Sequence, residues 1–200
     1  MKISTLVAAA VLALSGAAHA TATSVDLDFS TYARGTQLTS LDGVAFSLVN
    51  QGAAAGNAAV GGWGMDFTGL SNTATGSYPT AQDLVFTFTG GTASNISFNF
   101  DNWGSNSSSY TMFDAANNVV GSGSVGNASG GSFSAGGTDV AKIVFDNGTG
   151  GRSSWEFAVN NFSATITPAV SAVPEGSSTT LMLAGMLVVG TAALRRQRKA

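Results

Sequence analysis

Apolar and polar residues alternate with a period of two in short runs through the middle of the chain. Val25, Leu27 and Phe29 alternate with Asp26, Asp28 and Ser30. Val44, Phe46 and Leu48 form a second set, and Leu84, Phe86 and Phe88 a third. Ile96, Phe98 and Phe100 alternate with Ser97, Asn99 and Asp101. Further sets are Ala141, Ile143 and Phe145, then Trp155, Phe157 and Val159, then Phe162, Ala164 and Ile166. Tyr110–Phe113 and Asn118–Ser124 bracket Asp114–Asn117, which reads as a hairpin turn. Gly, Asn, Asp and Ser bound the runs, and no helical stripe of useful length occurs between them. A strand with this alternation buries one face and wets the other. About nine to eleven such strands predict an all-β, antiparallel β-sandwich of jelly-roll type. Two stretches, 51–64 and 71–80, break the pattern and read as long loops.

The two ends follow different rules. Lys2 opens a positive n-region, Leu6–Leu14 is apolar, and Ala18-His19-Ala20 is an A-x-A cleavage site. Residues 1–20 are therefore expected to be a signal helix that targets the secretion machinery, with cleavage after Ala20. The last thirty residues hold a short polar motif, Val173-Pro174-Glu175-Gly176, in a tail that spans 169–200. An apolar stretch, 178–194, follows, and Arg195, Arg196, Arg198 and Lys199 close the chain. Counted as fourteen to about eighteen residues, the apolar run spans roughly 21 to 27 Å at 1.5 Å per residue, short of a typical core of about 30 Å, and is expected to be a short transmembrane helix. The cationic end belongs in the cytoplasm, which puts the domain at 21–168 outside it.

This layout resembles the PEP-CTERM sorting tail of Gram-negative bacteria. Val173, Pro174 and Glu175 match its motif, while Gly176 stands where a second proline is usual. The resemblance implies an exported protein held at the inner membrane by its C-terminal helix and processed by an exosortase-like enzyme. It also implies a final place at the cell surface or in the matrix, with exopolysaccharide and biofilm as its setting. The central domain is similar to the β-sandwich ectodomains of such proteins. Asp28-Phe29, Gly43-Val44-Ala45-Phe46 and the late segment Trp155–Phe162 carry that likeness, with Asn160 at the place of a usual Asp.

Composition narrows the chemistry. Residues 21–168 hold three cations (Arg34, Lys142, Arg152) and ten acids, nine Asp plus Glu156, which is a net charge of −7. An acidic surface repels phosphate backbones, so nucleic acid is not an expected partner. There is no cysteine, and the one histidine, His19, lies in the signal segment. Ser-His-Asp and Cys-His catalysis and ordinary zinc, copper or haem ligation are thereby excluded from the mature domain.

Carboxylate and amide oxygens still suit a hard cation. Asp26, Asp28 and Asn161, on the first and last strands, are the candidates for a structural calcium ion, and no other cofactor is expected. Trp63 and Trp103 lie in Gly-, Asn- and Ser-rich surroundings and are candidates for sugar-stacking platforms, with Asp101 and Asn102 supplying polar contacts. Glu156 alternates with Trp155 and Phe157, so it is expected on a wetted face, and no partner carboxylate is nominated for glycoside hydrolysis. The resulting expectation is a non-enzymatic surface or matrix protein. The alternatives are a carbohydrate-binding module, a permanently anchored adhesin and, from the enzyme class, a glycan hydrolase.

Overall fold

The computed structural model describes residues 21–50, 53–62, 68–75, 82–102, 108–126, 131–146 and 156–169. The signal segment, the sorting tail with Val173, Pro174 and Glu175, and Trp63, Trp103 and Trp155 lie outside the described residues. Those residues form two antiparallel sheets. In the first sheet the order is β12 (Gly131–Gly136), β9 (Gly91–Asn102), β14 (Phe157–Pro168), β7 (Gly69–Ser71), β6 (Ala58–Gly61) and β2 (Gln37–Leu38). β1 (Thr23–Leu27) also pairs with β14, so the first and last strands are neighbours. In the second sheet the order is β11 (Val119–Gly126), β10 (Ser108–Phe113), β13 (Lys142–Asp146), β8 (Asp83–Phe88), β4 (Val44–Asn50) and β3 (Ser40–Leu41), with β5 (Ala53–Gly56) on β4. The antiparallel sandwich expected from the alternation is what the strands form.

The inward faces match the period-two reading. Val44, Phe46 and Leu48 of β4, Leu84, Phe86 and Phe88 of β8, and Ile96, Phe98 and Phe100 of β9 are all buried. Phenylalanines join the two sheets edge to face. Phe86 of β8 meets Phe162 of β14 at 4.9 Å between centroids, and Phe145 of β13 meets Phe98 of β9 at 5.0 Å. Such pairs add to the burial of area because ring edges and faces carry opposite partial charge.

Three sequence expectations are corrected. Phe29 does not extend β1 but sits in a 3-10 turn, Phe29–Thr31, capped by Asp28. The segment 51–64 is not simply a loop. Its described part forms β5 and β6, and Ala58, Ala59 and Val60 are fully buried, because small residues let strands pack closely where alternation is weak. The start of 71–80 is not exposed either: Ser71, Asn72 and Thr73 have no exposed surface, since hydrogen bonds rather than apolar contacts satisfy them.

The expected hairpin turn is present between β10 and β11. Asp114 Oδ1 accepts from the backbone N–H groups of Ala116 (2.9 Å) and Asn118 (2.8 Å), and Oδ2 from the Asn118 side chain (2.8 Å). Asn117 takes the left-handed conformation, φ 63°, that asparagine tolerates. Lys142 spans the turn, donating to Asn117 Oδ1 at 2.9 Å with its ammonium 4.6 Å from the Phe113 ring centre.

Candidate functional site

The start of β14 gathers polar groups from distant parts of the chain. Glu156 is only 3% exposed, which corrects the expectation of a wetted side chain. Residues 156–160 are buried on both faces, so alternation no longer sorts core from water there. Glu156 Oε1 accepts from the Gly62 N–H at 3.2 Å and from the Ser71 hydroxyl at 3.1 Å. Ser71 in turn lies 3.0 Å from the Thr73 hydroxyl. Arg34 donates to the carbonyl of Gly62. The next residue, Phe157, donates its N–H to Asn72 Oδ1 at 2.9 Å and stands opposite Asn102 of β9. A buried carboxylate is tolerated where donors converge on it, and here a backbone amide and a hydroxyl do so.

Of the proposed sugar-contacting residues, Asp101 and Asn102 end β9 and face Ala158 and Phe157 of β14. Asp101 is half-buried, while Asn102 is 7% exposed and turns inward, donating to the Ser108 hydroxyl at 2.9 Å. Trp63 and Trp103 follow Gly62 and Asn102 in sequence and lie outside the described residues.

The cation candidates sit further along β14. Leu27 opposes Phe162, so Asp28 and Asn161 come to the same end of the β1–β14 pair, while Asp26 opposes Ser163. Asp26, Asp28 and Asn161 are all exposed. Asp28 is already engaged: its Oδ1 accepts from the Ser30 hydroxyl at 2.6 Å and the Ser30 N–H at 2.9 Å. Those bonds, with a contribution from Asn160, hold the Asp28 carboxyl below the usual aspartate value. Among the described residues no group of three or more His, Cys, Asp or Glu side chains could hold a metal ion.

Sequence reasoning missed Ser71, Asn72 and Thr73 as a site-forming group. Their polarity reads as loop character in the sequence, and only the pairing of β7 with β14 shows them turned inward.

Fold and site define an antiparallel β-sandwich protein with a buried polar junction at the start of its last strand. No family model matches the chain, and no curated protein does. Among solved structures the chain is similar to a family 29 carbohydrate-binding module from Piromyces equi, at 10% identity and a TM-score of 0.43, over 78% of this chain and 98% of that one. A substituted form of another family 29 module is similar at 9% identity and a TM-score of 0.41, over 76% of this chain and 99% of that one. Likeness this loose carries neither a residue nor a ligand across.

Proposed function

We propose that this is an exported, non-enzymatic sandwich of the cell surface or matrix, whose β14-start end binds carbohydrate. One observation carries the binding site. Gly62 is hydrogen-bonded to Glu156 at 3.2 Å, and Asn102 stands opposite Phe157, so Glu156 and the first residue of β14, successive in the chain, hold Gly62 and Asn102. Trp63 and Trp103 are each the next residue after those anchors. Their place in sequence next to those anchors supports Trp63 and Trp103 as the residues on which a sugar ring stacks its C–H face, with Asp101 as a polar contact. The absence of Cys and of any mature histidine, together with the burial of Glu156 among structural donors, supports a binding rather than a catalytic role.

Export is supported by the boundaries of the fold. β1 opens at Thr23, just after the expected cleavage at Ala20, and β14 closes at Pro168, just before Val173. Both ends can thus be processed without touching a described strand.

The test is a polysaccharide array probed with the folded protein and with Trp63→Ala/Trp103→Ala. Binding that drops about tenfold or more, as loss of stacking contacts would cause, supports the site. A folded protein that binds no glycan, or binds unchanged in the double variant, overturns it. The C-terminal mass of protein recovered outside the cell tests the sorting half. A terminus near Pro174 supports processing, and an intact Ala200 found only in membranes supports the anchored adhesin, with Gly176 as the reason.

A further inference from the structure

Sheet edges expose unpaired backbone groups, and natural sandwiches blunt them with short strands, bulges, proline or charge. Among the described residues most edges here are blunted. β2 and β3 have two residues each and β5 has four. β12 is bulged between Ser134 and Gly136, and β1 carries Asp26 on its outer face beside Asp28. β11 also carries register shifts, but it is the longest of these edges. It has eight residues, Val119–Gly126, and among the described residues it pairs on one side only, with β10. It contains no charge and no proline. Two shifts in register, at its ends, leave Gly121–Ser124 as a regular stretch between them. Val119 and Val120, 60% and 39% exposed, are the large hydrophobic residues left exposed among the described residues, and both lie on this strand.

Charge distribution says what covers this edge. Residues 21–168 carry three cations and ten acids, a net charge of −7, so two copies repel one another over most approaches. From Ala115 to Thr138, however, 24 consecutive residues are uncharged, and they include both β11 and β12. This side is where two acidic sandwiches can meet without opposing carboxylates. We infer that the β11 edge is a self-association surface, occupied by β11 of a second copy in an antiparallel, two-fold pairing that joins the two β11 sheets into one. A two-fold contact is self-complementary, which an uncharged edge with its own exposed valines allows. Centred on Ser122, the pairing sets Gly121 of each copy opposite Gly123 of the other. Ser122 and Ser124 are exposed on the outer face and leave room for the approach.

The experiment is sedimentation of the full chain in detergent micelles across a concentration series, with Ser122→Lys and Ser124→Lys as variants. Both positions are exposed, so each variant should melt at the wild-type temperature, and either one that folds suffices. The wild type should form dimers. Ser122→Lys should weaken them about tenfold or more, because it places like charges against one another across the two-fold axis, and Ser124→Lys should weaken them too, because it sets a charge opposite Val120 of the other copy. Ser122→Thr should keep the dimer. A monomer at every concentration overturns the inference. So does a dimer indifferent to both lysines, since association then runs through another surface such as the apolar run Leu181–Leu194.

Discussion

Asn160 Oδ1 accepts the backbone N–H of Phe29 at 2.8 Å, across 131 positions of sequence. The bond ties the last strand to the turn that follows the first. Phe29 is fully buried and packs against Phe46 at 5.5 Å and Phe86 at 6.1 Å. One side chain thus fixes the turn that delivers a core ring. Asn160→Ala leaves a buried N–H without its acceptor and should cost about 1–3 kcal/mol. Urea denaturation followed by circular dichroism checks this, and an unchanged midpoint would show that water replaces the amide at no cost.

Glu156 offers a graded comparison. Glu156→Ala strips the acceptor from Gly62 N–H and the Ser71 hydroxyl and should destabilise by about 1–3 kcal/mol. Glu156→Gln keeps one acceptor oxygen and should lose clearly less. The same denaturation measurement separates the two. Equal losses would mean that the carboxylate's charge, not its acceptor capacity, holds the junction.

The β10–β11 turn should show its own acid sensitivity. The Asn118 side chain, the Asn118 N–H and the Ala116 N–H hold the exposed Asp114 carboxyl below the usual aspartate value. Folding depresses this group, so its contribution is full above the unfolded-chain value and is lost as pH falls through the lowered one. Carbon-detected NMR titration should place the Asp114 midpoint below that of an ordinary aspartate. Asp114→Asn should flatten this share of the acid dependence of stability. A midpoint at the ordinary value would contradict the assignment.

Neighbouring glycines should respond unequally to one added methyl. At Gly91 a Cβ would collide with the backbone of Thr167 and Pro168, which cannot swing aside. At Gly90 it would meet nothing within 4 Å. Gly91→Ala should therefore cost about 1–3 kcal/mol as overpacking does, and Gly90→Ala should be close to neutral. Thermal melts of the two variants give the comparison, and a neutral Gly91→Ala would mean that β9 and β14 can separate locally.

The core was legible residue by residue. Phe46, Phe86, Phe98, Phe145 and Phe162 all stand at alternating positions, and all are buried. The Asp114–Asn117 turn was legible because its chemistry is local: one carboxylate serves donors two and four residues ahead. The junction was not. Glu156 keeps the same alternation as its neighbours, yet it is buried because Gly62 and Ser71 are brought to it from 94 and 85 positions away. Ala58–Gly61 carries too little side chain for any period to register, although its pairing with β7 makes it a strand.

Period-two alternation, local turn chemistry and the absence of usable Cys and His were determined by the sequence itself, because each depends on residues close in the chain or on composition alone. They point to an all-β fold. Which polar residues are buried, which strands are left at an edge, and which segments share the start of β14 were decided only by tertiary structure. Those depend on pairing between residues far apart in sequence, and alternation names the face of a strand without naming what will cover it.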